Sequence, residues 1–82
     1  MGVTVLDLER TAEDMRRAIA EGEDLVARQR RMIQRLKLAD ADCDEAITLL
    51  VRTKFLIEET RTALRSVEAD IATLEAMPAH LC

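Results

Sequence analysis

The feature that most limits what this chain can become is a seven-residue apolar repeat that runs for nearly five periods, stops, and starts again. One set of positions, labelled a, reads Val5, Ala12, Ile19, Val26 and Ile33, and a second set three residues further on, labelled d, reads Leu8, Met15, Gly22, Gln29 and Leu36. That spacing keeps one narrow stripe of a long helix facing a partner helix. The pattern returns with Cys43, Leu50, Ile57, Leu64 and Ile71 at a, and with Ala46, Thr53, Thr60, Val67 and Leu74 at d. If the chain reverses near residue 41, facing residues must have numbers that add to a constant. Both sets obey: Ile33 with Leu50, Val26 with Ile57, Ile19 with Leu64 and Ala12 with Ile71 in one, Leu36 with Ala46, Gln29 with Thr53 and Met15 with Val67 in the other. The expected architecture is all-α, an antiparallel, coiled-coil-like two-helix hairpin with helix 1 over about residues 5–38, a hinge at 39–42, helix 2 over about 43–77 and a tail at 78–82. The competing arrangement is one straight helix in a parallel dimer.

The stretch between the repeats argues for the hairpin. Asp42 followed by Glu45 has the spacing of a capping box, which makes Asp42 the expected N-cap of helix 2. Arg35 and Lys37 suit the last turn of helix 1, where the helix dipole favours positive charge. The hinge holds no Gly or Asn for the left-handed position that ends many helices, so Asp40 must adopt that conformation or helix 1 must end more loosely. At the other end, Thr4 followed by Asp7 reads as the N-cap of helix 1, with Val3 packing on Leu8 as a hydrophobic staple. Pro78 stops helix 2, and Met77 before it is expected to be leaving the helix.

Two seam positions stand out. Gln29 opposite Thr53 either hydrogen-bonds across the seam and fixes register or sits solvated at its edge. Gly22, costly in a helix interior by about 1 kcal/mol, either permits close helix approach at the Thr60 layer or serves as a hinge for motion.

Composition bounds function more than it defines it. The chain has 82 residues, one Phe, no Trp or Tyr, 34% charged residues and a formal net charge of −4, the make-up of a long helical or coiled-coil chain and not of a general nucleic-acid binder. No apolar run approaches the roughly 18 residues of a membrane span, and the N-terminus lacks a signal peptide's basic and apolar regions. The expected location is cytoplasmic. Catalysis finds no support: the one His, His80, makes at most a two-ligand fragment with Cys82 where a structural zinc takes four ligands, Cys43 has no base near it in sequence, and Gly-rich phosphate loops are absent. No cofactor or metal is expected. Cys43 and Cys82 fall at opposite ends of a hairpin, too far apart for an intrachain disulfide.

Surplus apolar residues point to association. Between Ile47 and Ile57 they point around most of helix 2, and Leu25 and Met32 widen the stripe on helix 1; a helix apolar on nearly all sides is a buried helix. The expected interface comprises Leu25, Met32, Ile47, Val51, Phe55 and Leu56, with the chain its own partner in a homodimeric four-helix bundle, or a different protein covering the same half. Charge divides unevenly: residues 25–57 hold seven bases against four acids, net +3, and the remainder 12 acids against five bases, net −7. Charge alone favours two hairpins lying antiparallel, whereas overlap of the apolar halves favours a dimer centred on the hinge-proximal ends. Burial of an aliphatic side chain contributes roughly 1.5 to 3 kcal/mol against about 0 to 1 kcal/mol for an exposed ion pair, so apolar overlap is expected to prevail and Phe55→Glu to break the dimer.

The residues Ile19-Ala-Glu-Gly22-Glu23, Ala27-Arg28-Gln29-Arg30-Arg31, Ile33, Leu36, Asp42 and Leu49-Leu50 resemble those of a set of small uncharacterised helical-hairpin proteins common in rhizobia and related alphaproteobacteria. The similarity covers roughly residues 19 to 64. The turn departs from theirs, with Asp40, Ala41 and Cys43 where Gly, His and Thr would stand, and the resemblance implies no activity. The function expected from the residues is that of a noncatalytic, oligomerising interaction or adaptor module. The alternative is a small regulator that binds nucleic acid through Arg28, Arg30, Arg31, Arg35, Lys37, Arg52 and Lys54 in the hinge-proximal half.

Overall fold

A computed structural model describes residues 2–77. Two long helices, α1 (Val5–Leu38) and α2 (Asp44–Ala76), lie side by side and antiparallel, joined by a tight reversal. Contacts along the seam run in opposite senses: Arg16 meets Glu68, Glu23 meets Arg61, and Gln29 meets Thr53. The seven-residue repeat accounts for the burial pattern. In α1, the residues withdrawn from solvent are the ten a and d positions and no others; in α2 they are a and d positions up to Ile71, joined by Arg61 and Ala63. The seam is thin: among the described residues only Ala12, 1% exposed, and Ile33, 8% exposed, are buried.

Local chemistry sets the ends of α1. The Thr4 hydroxyl accepts from the Asp7 amide at 3.1 Å and the Asp7 carboxylate accepts from the Thr4 amide at 3.2 Å, the reciprocal capping box expected there. Val3 stays 66% exposed, so the expected staple onto Leu8 covers little surface. At the far end the Ala41 amide donates to the Leu36 carbonyl at 2.8 Å and the Asp40 amide to the Lys37 carbonyl at 3.1 Å. This pair of bonds is a Schellman motif, and it requires the residue after the C-cap to be left-handed. Asp40 takes that conformation, with φ 54°.

The start of α2 differs from the expectation by one residue. Its first intrahelical bond runs from the Ile47 amide to the Cys43 carbonyl, so Cys43 is the N-cap, without a side-chain bond of its own. Asp42 stands just outside and accepts from the Asp44 amide at 3.0 Å, an Asx turn that leads the chain into the helix. Glu45 is therefore one position short of the site from which a capping box closes. α2 ends at Ala76, and Met77 is extended (φ −71°, ψ 129°), as suits a residue preceding Pro78.

At Gly22 the facing helix leaves no room for a side chain. A Cβ there would stand 2.8 Å from Ile57 Cγ1 and 3.0 Å from Cδ1, so Ile57, rather than the Thr60 layer alone, occupies the space that the missing side chain leaves. Alanine at this position would gain about 1 kcal/mol of helix propensity and lose roughly 1 to 3 kcal/mol to overpacking. Gly22→Ala is expected to destabilise the chain by about 1 kcal/mol, and in an Ile57→Ala background the same change should stabilise it; denaturant midpoints of the four proteins in the cycle measure the coupling. Asp40→Gly should raise stability by about 0.5 to 1 kcal/mol, because glycine meets no steric penalty in the left-handed region, and a thermal midpoint that does not rise contradicts the strain assigned to Asp40.

Candidate functional site

The two flanks of the seam are chemically unlike. On one flank lie the e positions, which follow d: Glu9, Arg16, Glu23, Arg30 and Lys37 on α1, Ile47, Lys54, Arg61, Glu68 and Glu75 on α2. Ion pairs stitch it together. Arg16 and Glu68 pair at 2.9 Å, and Arg61 pairs with both Glu23 across the seam and Glu58 along its own helix, the latter at 3.5 Å. The Arg16 and Glu68 side chains remain about half exposed, so each such pair adds roughly 0 to 1 kcal/mol. Their larger effect is to leave this flank polar and self-satisfied.

The opposite flank consists of the g positions, which precede a: Thr11, Ala18, Leu25 and Met32 on α1, Leu49, Leu56, Ala63 and Asp70 on α2. In an antiparallel pair g faces g, which sets Leu25 level with Leu56, Met32 with Leu49 and Ala18 with Ala63. Leu25 and Met32 line a shallow, almost wholly apolar groove with Leu49, Ala46, Gln29 and Arg28. Leu56 borders a second apolar depression formed with Val51, Arg52 and Phe55 on the outer side of α2. Exposures of 41% for Leu25, 50% for Met32, 51% for Leu49 and 59% for Leu56 make this an unpartnered apolar strip.

The structure thus sorts the six residues expected at an interface. Leu25 and Met32 share one groove, and Val51, Phe55 and Leu56 share the adjoining depression. Ile47 occupies an e position on the charged flank, away from both. Leu49 joins Leu25 and Met32 although grouping apolar residues by chain proximity gave it no special place; its g position was the available signal.

Gln29 links seam and groove. Its Nε2 donates to the Thr53 hydroxyl at 3.0 Å, and that hydroxyl donates onward to the Leu49 carbonyl at 2.9 Å. Because the Thr53 proton is committed to Leu49, Thr53 must accept from Gln29, which fixes the amide orientation and the register of the helices. The price is Gln29 Oε1, which is buried without a donor. Such an orphan costs roughly 1 to 3 kcal/mol.

The seven bases of the hinge-proximal half do not form one patch: only Arg30 and Lys54 share a groove, beside Glu23, Glu58 and Arg61. Arg30, Lys37 and Lys54 occupy e positions, Arg28, Arg35 and Arg52 occupy c positions beside the apolar strip, and Arg31 points away from the seam at f. Among the described residues, no group of three His, Cys, Asp or Glu side chains is placed to hold a metal ion, and no helix is long and apolar enough to cross a membrane. His80 and Cys82 lie outside the described residues, and Cys43 is a half-buried free thiol at the start of α2. Compared with family models, curated proteins and solved structures, the chain matches none.

Gln29→Leu should raise stability by about 1 kcal/mol by removing the orphaned acceptor from an apolar surround, while loosening register. Native mass spectrometry together with the melting curve checks both effects: a lower melting temperature would show that the bond to Thr53 outweighs the orphan.

Proposed function

We propose that this chain is a noncatalytic interaction module whose first partner is itself, assembling as a homodimeric four-helix bundle through the apolar side of the hinge-proximal half. The observation that carries the reading is the concentration of exposed large apolar side chains between Leu25 and Leu56, on a hairpin whose seam, among the described residues, buries only Ala12 and Ile33. Contiguous apolar surface of this kind marks interaction sites, and a hairpin this thin gains the core it lacks by pairing. As an adaptor, the dimer would present its remaining surface to another protein.

The alternative, a nucleic-acid-binding regulator, has one observation in its favour: among the described residues none of the seven bases pairs with a carboxylate within 4.0 Å. Their spread over e, c and f positions works against it, since a phosphate backbone is met by charges on one side. Binding that falls steeply with added salt would support the alternative.

Sedimentation equilibrium at tens of micromolar should return a dimer. Leu56→Glu should raise its dissociation constant at least a hundredfold, because burying one such side chain contributes roughly 1.5 to 3 kcal/mol and the change occurs twice in a symmetric dimer. Phe55→Glu, on the outer side of α2, should weaken it less. A monomer at that concentration contradicts self-association.

A further inference from the structure

We propose that the strip of Leu25, Met32, Leu49 and Leu56 is covered by a second copy of the chain turned end for end, about a two-fold axis that crosses the hairpin at the level of Leu25 and Leu56. This rests on the self-association reading above and adds its geometry. The axis lies between the two apolar faces and perpendicular to the helices, so that α1 packs antiparallel on α1 and α2 on α2. Residues equally far from the axis then meet.

Shape fits this operation. At the axis Leu25 meets the second copy's Leu25, and Leu56 its Leu56. One heptad to either side, Met32 meets the second copy's Ala18, and Leu49 meets its Ala63, so a large side chain covers a small one in every flanking layer. The face is large enough: a 34-residue helix is about 50 Å long and each helix about 10 Å wide, against the roughly 800 Å² per partner of a standard stable interface.

Charge fits it independently. The c positions border the strip, and along α1 they read Asp14, Glu21, Arg28, Arg35, changing sign at the level of the axis. Turning the second copy end for end brings Glu21 to its Arg28 and Asp14 to its Arg35. On α2, Arg52 comes to the second copy's Glu59, and symmetry makes each of these pairs twice. The competing arrangement, with both hinges at one end, lays α1 on α2 at equal height. It sets Arg28 by Arg52 and Glu21 by Glu59 against one favourable pair, Arg35 by Glu45; its Leu25–Leu56 layer is the same four leucines as at the axis above, but it places large on large again at Met32 with Leu49 and leaves Ala18 opposite Ala63. Juxtaposed like charges and mismatched layers select against it. The uneven charge of the two ends of the hairpin and the overlap of apolar surface, which pull apart when the apolar residues are grouped by chain position, coincide once Leu25 and Leu56 are seen to lie at mid-hairpin.

Thiol cross-linking of the full chain in a Cys43→Ser, Cys82→Ser background tests the arrangement, with sedimentation equilibrium run on the unmutated protein. Leu25→Cys alone should form an intermolecular disulfide under mild oxidation. Met32→Cys alone should not, because its two copies stand about 20 Å apart, whereas a mixture of Met32→Cys and Ala18→Cys proteins should cross-link. At low salt Glu21→Arg and Arg28→Glu should each weaken the dimer by about tenfold, and the double exchange should recover most of the loss. A dimer in which Leu25→Cys cross-links to Leu56→Cys but not to itself overturns the end-for-end arrangement and leaves self-association standing. So does a double exchange as weak as either single change. A monomeric unmutated chain overturns both.

Discussion

A spacing of seven residues on a helix that turns every 3.6 places apolar side chains on a stripe too narrow to shield itself, and the remainder of this structure follows from that stripe. One helix with such a seam must share it. Here the partner is the same chain, brought back by a five-residue reversal, and the match is close enough that exposure along α1 rises and falls with the a and d positions. The cost of the reversal is a single left-handed aspartate, held by two backbone bonds onto the last turn of α1.

The seam also explains which parts of the architecture could be read from residues alone. Helix ends written by one side chain at a fixed offset were legible: the Thr4 box and the departure of Met77 each depend on residues within a few positions of one another, whereas the sequence left the end of α1 open between a left-handed Asp40 and a looser ending, and the structure takes the first. The Gln29 bond to Thr53 was legible because the numerical pairing of the seam places the two opposite. Asp42 was not, because the residue that begins α2 is set by where the Schellman turn releases the chain. That turn uses Ala41, so Asp42 is left to accept from the Asp44 amide from outside the helix, with Cys43 as N-cap and Asp44 as the first residue of α2.

The candidate site was half legible for a different reason. Surplus apolar residues are visible as a count, but a count has no direction. Ile47 lies in the same stretch as Leu49 and Leu56 and is just as apolar, yet its e position puts it with the ion-paired flank. Only the antiparallel pairing of α1 with α2, which makes e face e and g face g, divides the surface into a charged flank and an apolar one.

That division constrains assembly. A hairpin apolar on both flanks could stack indefinitely, each copy offering a fresh face to the next. Here Arg16, Glu23, Arg61 and Glu68 satisfy one another on the e flank, so a copy docking there would strip water from paired charges and gain little apolar burial in return. The g flank offers the reverse: no ion pair to break and aliphatic side chains to cover. If that patch is self-complementary, as proposed, the dimer closes about a two-fold axis, because each copy uses the same surface and none of it remains to recruit a third. In the proposed dimer the charged flanks face outward on both sides of the bundle. In that assembly the surface left for any further partner would carry the unpaired Arg30 and Lys54 beside the Glu23–Arg61 pair and the exposed Val51 and Phe55 on the outer side of α2, each presented twice.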